Sequence, residues 1–508
     1  MNLIASASTF SFFTLISRVL GYVRDILIAI FLGTSLFADA FFVAFRLPNT
    51  FRRLFAEGTF NAAFIPSYAG ALAKNKLEAN NFAKNVFNLL FIILLFFVLM
   101  AEIFMPKLIF LIAPGFYKDP EKLKLAIDLS RITFPFLFFI CLASFFAAIL
   151  NSYNKFAVAA AAPIILNVIL IGSLFFSQWL NISDVLTLSY AVSFAGFLQL
   201  LILLFFVRKN FKPILSMKIK INEEIKFFFR KLLPSIFSSG VTQINILVGT
   251  IIASFQAGAV SYLYYADRVY QINLAVAGIA VGTVMLPELS KHIKNNNSEQ
   301  ITNLQNRALE LCLFLSIPAA TALVLASKEI ITSLFGYGSF DSESVANTAI
   351  ALTFFAFGVP AFSILKIFSN FFFARNDTKL PFYLSVVSVI LNILISVLFF
   401  RKLGFVIIPI ATSISSWINV ILHFYFIKKQ NLHDFDRMFI YKFPRIMFSA
   451  VVMGTVLYFS LSFFSDKFYY NESWKIVYLF IIVSVSLLIY FFVSNFSGAF
   501  KLKDIKLR

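Results

Sequence analysis

Residues 17–60 read SRVLGYVRDILIAIFLGTSLFADAFFVAFRLPNTFRRLFAEGTF. Most of this stretch is apolar enough for the interior of a bilayer, yet it contains five arginines and three acids: Arg18, Arg24, Asp25, Asp39, Arg46, Arg52, Arg53 and Glu57. A charge at the centre of a bilayer costs about 2.5–3.5 kcal/mol on insertion scales. These charges are therefore expected to face water, a ligand or an opposite charge rather than lipid.

The composition of the whole chain indicates the same environment. Of its 508 residues, 60% are hydrophobic and only 13% are charged, whereas soluble domains have about 25% charged residues. A spanning helix needs about 20 apolar residues. We predict an all-α polytopic membrane protein with fourteen transmembrane helices, at about 8–32, 36–60, 83–112, 127–150, 157–177, 185–207, 232–256, 260–287, 308–335, 346–372, 380–400, 404–427, 446–464 and 474–497.

Basic residues in the loops give the orientation of these helices. The loops on one side contain 26 of the 43 Lys and Arg residues. The loops on the other side contain nine: Lys107, Lys118, Lys122, Lys124, Lys328, Arg401, Lys402, Lys467 and Lys475. Because basic loops stay inside, we expect both termini to be cytoplasmic. The same loops account for the net charge of +19 without a nucleic-acid partner. No basic segment precedes the first apolar run, so a cleavable signal peptide is not expected.

An internal repeat indicates two related halves. ILNSYNKFAVAAAAPIILNVILI, residues 149–171, aligns with ARNDTKLPFYLSVVSVILNILI, residues 374–395, so that Asn151 falls on Asn376 and Asn167 on Asn392. Each repeat contains six spans, an even number, so both copies have the same orientation, as in transporters with parallel repeats. We expect four parts: a six-helix lobe at 1–207, a cytoplasmic amphipathic linker at 208–231, a second six-helix lobe at 232–429, and two extra helices with a cytoplasmic tail at 430–508.

No motif in the chain indicates covalent chemistry. GxxxxGK, HExxH and GxSxG are absent from the sequence. Cys141 and Cys312 lie in apolar runs, and the three histidines do not have the spacing of metal ligands. We therefore expect no catalytic residue, no metal and no cofactor, and we do not expect an enzyme.

Internal salt bridges are one explanation for the buried charges. Arg53 and Glu57 are four residues apart and can pair on one helix face. Arg18 and Asp25 are seven apart and share a face, with Ser17 on a neighbouring one. Such pairs would fix helix packing, and the explanation suits the acids best: Asp25, Asp39 and Glu57. Arg46 can instead extend its charged end to a membrane interface.

Anion binding is the second explanation, and it suits the arginines better. Arg18, Arg24 and Arg52 lie in the first pair of helices, and Arg268 lies in the corresponding pair of the second half. In these helices arginines outnumber acids, so some cation is left over. The planar fork of donors on arginine matches phosphate. The two halves could thus close on one anionic ligand.

Three motifs resemble the MurJ (MviN) family of lipid II flippases: SRVLGYVRD (17–25), ADAFFVAFRLPNTFRRLFAEGTFNAAFIP (38–66) and YYADRVYQINLAVAGIAVGTVMLPELSK (264–291). The resemblance covers essentially the whole chain. It implies a fold of the multidrug/oligosaccharidyl-lipid/polysaccharide (MOP) exporter type, with two six-helix lobes around a central cationic cavity. It also implies the substrate lipid II, the undecaprenyl-pyrophosphate-linked precursor of peptidoglycan, flipped across the bacterial inner membrane. In the family, helices 13 and 14 form a groove for the lipid tail.

The resemblance also implies roles for individual residues. The substrate-binding residues fall on Arg18, Arg24, Arg52, Arg268, Ser17 and Asn49. The gating or charge-pairing residues fall on Asp25, Asp39, Arg53 and Glu57. We expect a monomer that contacts membrane lipids, with the cell-wall synthesis machinery as candidate partner. Some relatives resemble sodium-binding transporters with acids on the seventh and eleventh helices, but this chain has no Asp or Glu at 232–266 or 378–433.

Three other functions remain open at the level of sequence. A drug or polysaccharide exporter of the same superfamily would have a cavity with fewer arginines, and it would leave the two extra helices unexplained. In a membrane scaffold without transport, the buried charges would all be paired. An integral-membrane glycosyltransferase would need an acidic donor-site motif, which the sequence lacks.

Overall fold

The structure is a computed structural model that describes residues 3–56, 59–216 and 223–500. Glu57 lies outside these residues. Within them the chain is helical and contains no β-strand. The nineteen α-helices of the described ranges, α1–α19 in chain order, are Leu3–Leu32, Leu36–Ala56, Thr59–Lys74, Lys76–Ile103, Met105–Ile112, Pro120–Thr133, Pro135–Ser152, Phe156–Leu180, Asp184–Val207, Glu223–Ala253, Ala259–Leu274, Val281–Lys294, Ser298–Leu325, Ser327–Phe335, Ser342–Phe373, Lys379–Leu403, Ile407–Lys429, Arg437–Phe463 and Lys475–Ser497.

Side-chain caps set where several of these helices begin. Asn75 before α4, Asp119 before α6 and Asp341 before α15 each accept a hydrogen bond from the backbone N–H three residues later. The first N–H groups of a helix have no partner within it, so such caps stabilise the start. Pro120 follows the cap of α6, where its missing N–H does no harm. Lys122 therefore lies in the first turn of α6, not in the outer loop that the sequence predicted.

Ten stretches of the described residues are helical, long and apolar enough to cross a membrane by length and composition. They are Lys76–Ile103, Pro120–Ser152, Phe156–Leu180, Asp184–Val207, Ala259–Lys294, Ser298–Leu325, Ser342–Phe373, Lys379–Lys429, Arg437–Phe463 and Lys475–Ser497. They make the chain a multi-pass helical membrane protein, as its composition predicted.

Four of the fourteen predicted spans are not separate members of this set. The described part of α1 contains Arg18, Arg24 and Asp25, α2 contains four charged residues, and Gln243–Ala253 is the apolar stretch of α10 within the residues whose side chains are described. The stretch Lys379–Lys429 combines two predicted spans. Its halves, α16 and α17, form an antiparallel hairpin in which Ser388 Oγ donates to the carbonyl of Ser415. Gly404 turns the chain between them at φ 59°, a value that glycine adopts without strain. The number of fourteen spans stays a prediction.

By its internal contacts the chain divides into two units, Met1–Ser261 and Tyr262–Arg508. In the first unit, α1 packs on α8, α7 and α8 pack on α9, and α2 packs on α6. Helix α10 packs on α3, where the ring of Phe228 lies 5.7 Å from Phe60 and 6.2 Å from Phe64. The contacts thus place α10 in the first unit, whereas the repeat assigns its membrane part to the second lobe. The lobe boundaries stay a prediction.

In the second unit, α13 packs on α15, α15 on α17, and α18 on both α13 and α19. The hydroxyl of Tyr490 in α19 donates to the carbonyl of Phe314 at 2.7 Å. Lys442 in α18 and Glu310 in α13 form a buried ion pair at 3.1 Å. The two helices that lie outside the repeat are therefore tied to α13.

A π-helical segment, Ala275–Ala280, joins α11 to α12 in one long stretch. Gly278 in this segment lies directly against α15. A Cβ atom at Gly278 would lie 3.0 Å from the Cα of Ser363, closer than ordinary van der Waals contact. Glycine at this position lets the two helices approach each other.

Candidate functional site

Arg24 and Asp25 form a buried ion pair in the second half of α1. The Nε and Nη2 atoms of Arg24 both donate to Asp25 Oδ1, at 3.0 and 2.7 Å. Only 7% of Arg24 and 2% of Asp25 is exposed. Neighbouring residues on a helix do not normally face each other, but the long arginine side chain folds back to reach the next carboxylate. Arg24 is thus charge-compensated within its own helix.

Asn167 in α8 completes this group. Its Oδ1 accepts a hydrogen bond from Arg24 Nη1 at 2.9 Å, and its Nδ2 donates to the backbone carbonyl of Ser17 at 2.8 Å. One amide therefore orients the arginine and ties α8 to α1. The structure brings Ser17, Arg24 and Asp25 together, and Ser17 contributes its carbonyl rather than its hydroxyl.

Arg18 does not share this arrangement. Arg18 is exposed, and its guanidinium makes no hydrogen bond or ion pair with the described part of the chain. Spacing places Arg18 and Asp25 on one helix face, but the cation that pairs with Asp25 here is Arg24.

Asp39, in the first turn of α2, is fully buried and accepts four hydrogen bonds. Lys122 Nζ donates to its Oδ2 at 2.6 Å, and Gly258 N donates to the same oxygen at 2.9 Å. Ser261 donates to Oδ1 from both its backbone N, at 3.0 Å, and its Oγ, at 2.6 Å. Helix N-termini present unpaired N–H groups and partial positive charge. Asp39 therefore caps α11, and Lys122 balances its charge.

The segment before α6 fits tightly against the end of α10 in the same unit. The N–H of Gly115 donates to Ser254 Oγ at 2.9 Å. A Cβ atom at Gly115 would lie 2.3 Å from the backbone of Ser254, so no other residue fits here without movement. The ammonium of Lys122 also lies 4.3 Å from the ring centroid of Phe116, a cation–π contact. This packing holds Lys122 at Asp39.

The predicted residues of the second half of α2 are half-buried. Arg52 Nε donates to Asn49 Oδ1 at 3.0 Å, so these two predicted binding residues are neighbours. Arg53 is half-buried. Its predicted pair with Glu57 cannot be placed, because Glu57 lies outside the described residues.

Arg268 lies in α11, in the second unit. Its Nη2 donates to the hydroxyl of Tyr264 at 2.9 Å, and its guanidinium lies 4.8 Å from the centroid of that ring. Both contacts direct the side chain toward the start of α11. Arg268 is half-buried, and Tyr264 contacts its guanidinium with both its hydroxyl and its ring.

Sequence reasoning missed Lys122 as a partner of Asp39. A signal for it exists in the sequence DPEKLKLAIDL, residues 119–129. Aspartate followed by proline and glutamate is typical of a helix start. With the helix starting at Pro120, Lys122 falls on a face shared with Ala126 and Leu129, both fully buried.

The arrangement suits binding and positioning rather than covalent chemistry. Its groups are guanidinium, ammonium, carboxylate and amide groups joined by hydrogen bonds, and none is a nucleophile held against a base. Among the described residues, no three His, Cys, Asp or Glu side chains come close enough together to hold a metal ion.

Comparisons with known proteins agree on one family. The family model described as lipid II flippase MurJ matches residues 28–479. The probable lipid II flippase MurJ of Rhizobium meliloti is 39% identical over 464 residues, which cover 90% of this chain and 86% of that protein. The lipid II flippase MurJ of Burkholderia cenocepacia is 31% identical and covers 90% of each chain.

Solved structures show the same relationship. A lipid II flippase MurJ in an inward closed conformation superimposes with a TM-score of 0.82 and 28% identity, covering 96% of this chain and 98% of that one. An inward-facing multidrug resistance MATE family transporter of the MOP superfamily has a TM-score of 0.69 at 16% identity, covering 82% and 94%. The second likeness concerns the fold alone. The chain therefore belongs to the MurJ lipid II flippase family, whose members are bacterial membrane transporters and not enzymes.

Proposed function

We propose that this chain moves lipid II, the undecaprenyl-pyrophosphate-linked disaccharide-pentapeptide, from the inner to the outer leaflet of the bacterial inner membrane. The names of its relatives support the substrate. The observation that carries the proposal is the buried Arg24. A guanidinium oriented by a carboxylate and an amide, inside a membrane helix, is a costly arrangement that anion binding explains.

The bonds of Arg24 to Asp25 and Asn167 leave two of its donors for an anion. A guanidinium has five N–H donors, and these bonds use three of them. The remaining two lie on Nη1 and Nη2, and paired arginine N–H groups can bind one phosphate. Asp25 competes with the phosphate for the same cation. In this proposal Asp25 keeps Arg24 neutralised until substrate arrives, and it then favours release.

The other predicted residues extend the same role. Arg18, Arg52 and Arg268 bind the pyrophosphate and sugar headgroup, with Ser17 and Asn49 beside them as hydrogen-bonding partners. Asp39, Arg53 and Glu57 pair with charges or gate access. The buried hydrogen bonds of Asp39 to the start of α11 support such a role, because they would have to break if α2 and α11 moved apart.

The proposed architecture follows the repeat. Fourteen spans form lobes at 1–207 and 232–429, joined by the linker at 208–231, and residues 430–508 supply the helices of the lipid-tail groove and a tail. Both termini are cytoplasmic. Alternating access, in which the two lobes rock about a cationic binding site, then exposes the headgroup to each side in turn. We expect a monomer working beside the cell-wall synthesis machinery.

The test is the amount of lipid II on the outer leaflet of cells depleted of this protein. An impermeant probe should detect less lipid II after depletion, and the wild-type chain should restore it. Arg24→Ala should reach the membrane in normal amount, since removal of a buried charge eases insertion, but it should not restore the signal. The matched control is Arg401→Ala, an exposed arginine at the end of α16, which should restore it.

The two parts of the proposal can fail separately. Unchanged outer-leaflet lipid II after depletion would refute the flippase function, and accumulation of another lipid-linked sugar would favour an exporter of the same superfamily. Full restoration by Arg24→Ala would leave the function intact but place headgroup binding elsewhere.

A further inference from the structure

Lys366 is a charged residue of α15 that the site described above does not use. It is exposed, and its ammonium makes no hydrogen bond or ion pair with the described residues. Ile350 and Phe357, two exposed apolar residues of α15, lie on the opposite side of the helix, because nine residues correspond to two and a half turns. That side suits lipid. The side of Lys366 carries a charge, with the exposed Phe373 two turns later at the end of the helix.

Lys366 also lies deep in the membrane part of the second unit. A Cβ atom at Gly278 would lie 3.5 Å from Lys366 Cγ. Gly278 is near the middle of the stretch Ala259–Lys294, within about 3 Å of its centre at 1.5 Å per residue. A lysine facing lipid at this depth would cost about 2.5–3.5 kcal/mol. Its exposed face therefore suits water or an anionic ligand.

The backbone beside Lys366 holds the lysine stem in place. The π-helical segment Ala275–Ala280 brings Gly278 against α15. One turn later, Asn370 Nδ2 donates to the carbonyl of Gly282 at 2.7 Å. π-Helical turns are rare and occur often at functional sites. Here Gly278 of the turn and Gly282 of α12 fix the distance to α15, and Lys366 lies beside that contact.

Lys366 and Arg268 are too far apart to bind one diphosphate. Arg268 lies ten residues before Gly278 on the same helical stretch, which corresponds to about 15 Å along the axis. The contacts of Arg268 with Tyr264 direct its guanidinium still further from Lys366. A ligand that reaches both cations must therefore carry a second anionic group well separated from its diphosphate. In a diphosphate-linked sugar that carries a peptide, such groups are the peptide carboxylates.

We propose that Lys366 binds a carboxylate of the peptide part of the headgroup, while Arg268 lies at the diphosphate end. The inference rests on the proposed function. Lysine suits the role, because its ammonium is a mobile point charge that accepts a single carboxylate from several directions. Lys366 would thus distinguish precursors with a charged peptide from lipids that carry the diphosphate alone.

The test is binding by the full-length protein in nanodiscs, with three lipid probes. The probes are undecaprenyl diphosphate, lipid II, and lipid II whose peptide carboxylates are amidated. Lys366→Gln should weaken lipid II binding about 10-fold or more, which corresponds to the loss of one hydrogen bond to a charged group. The same variant should leave the binding of undecaprenyl diphosphate unchanged. Arg268→Gln should weaken both. Lys402→Gln, at an exposed lysine near the end of α16, is the control.

Each outcome has a separate meaning. The wild-type chain should bind amidated lipid II about as weakly as Lys366→Gln binds the natural form. Equal affinity of Lys366→Gln and wild type for lipid II, or an equal loss for all three probes in Lys366→Gln, would overturn the role of Lys366. A wild-type chain that binds none of the probes would refute the proposed function itself. A thermal melt of each variant excludes loss of folding, and Lys366→Arg should retain the preference.

Discussion

Replacing Lys122 by methionine should destabilise the first unit, because it removes the only cation bonded to Asp39 among the described residues. Lys122 Nζ lies 2.6 Å from Asp39 Oδ2, and both side chains are almost fully buried. Methionine has a similar length and can keep the contact with Phe116, so the change removes charge more than volume. The carboxylate would retain its hydrogen bonds from Gly258 and Ser261.

The expected loss follows from this geometry. Removal of one partner of a buried ion pair typically costs 3–5 kcal/mol, because the other charge is left uncompensated. The three remaining donors partly satisfy Asp39, so we expect a loss of about 3 kcal/mol, at the lower end of that range. Adding Asp39→Asn removes the stranded charge. The double variant should therefore be more stable than Lys122→Met alone, with a coupling energy of about 2 kcal/mol.

The measurement is SDS-induced unfolding in mixed micelles, with Trp179 as reporter after Trp417 and Trp474 are replaced by phenylalanine. Lys124→Met is the matched control, since Lys124 is exposed on the same helix and its loss should leave the unfolding midpoint unchanged. A cost below about 1 kcal/mol for Lys122→Met, the range of exposed pairs, would refute the reasoning. A coupling energy near zero would refute it as well.

Two further predictions concern topology and pH. A single cysteine at position 183, replacing Ser183, should react with an impermeant reagent added outside the cell. One replacing Asn296 should not react, because the basic loops place this position in the cytoplasm. Labelling at position 296 from outside would contradict the proposed orientation. Burial, with a smaller contribution from Lys428, lowers the pKa of His433 from its ordinary 6.5 to about 4. Between pH 6.5 and 4 the unfolded chain protonates His433 and the folded chain does not. The contribution of His433 to the free energy of unfolding should therefore fall by about 3 kcal/mol as the pH drops from 6.5 to 4, and it should stay nearly constant above 6.5. Thermal melts across this range should show this contribution as the difference between the wild type and His433→Gln, and a control variant at His292 should not reduce the loss.

The helical architecture was predictable because long apolar runs leave few alternatives in a membrane. Every predicted span overlaps a helix of the described residues. The assignment of α10 was not predictable in the same way. The repeat identifies common ancestry of two segments, whereas packing depends on surfaces such as the one that Phe228 offers to Phe60 and Phe64. Sequence similarity between halves does not report which neighbour a helix contacts.

The alignment of the repeat shows a similar limit at one turn. The sequence match placed Asn151 on Asn376. In the structure, the residue with positive φ is Asn154 in the first turn and Asn376 in the second, at 60° and 62°. Asparagine tolerates this conformation better than most residues. By backbone geometry, Asn376 therefore corresponds to Asn154, three residues after Asn151. An alignment of residue types does not show this, because it does not report local backbone geometry.

Arg24, Asp25 and Asp39, three of the predicted site residues, are buried charges within helices, but the sequence did not indicate their partners. Spacing along a helix reports only which residues share a face. It does not report that Arg24 folds back onto Asp25 or that Lys122 reaches Asp39 from another helix. Asn167 was selected by symmetry alone, and its actual role is to bond Arg24. Long flexible side chains and contacts between helices account for these differences.

Two buried cations of the first unit are each paired with an acid, and this has a consequence for the proposed transport. Arg24 with Asp25, and Lys122 with Asp39, each combine one cation with one acid inside apolar surroundings. Such pairing lowers the cost of inserting α1 and α2, whose charges would otherwise oppose it. If Arg24 binds the diphosphate as proposed, the pairing also limits the strength of that binding, because the substrate must compete with Asp25. A transported ligand has to leave as well as enter, so a partly neutralised arginine suits a flippase better than an uncompensated cluster, which would hold a diphosphate too tightly to release it.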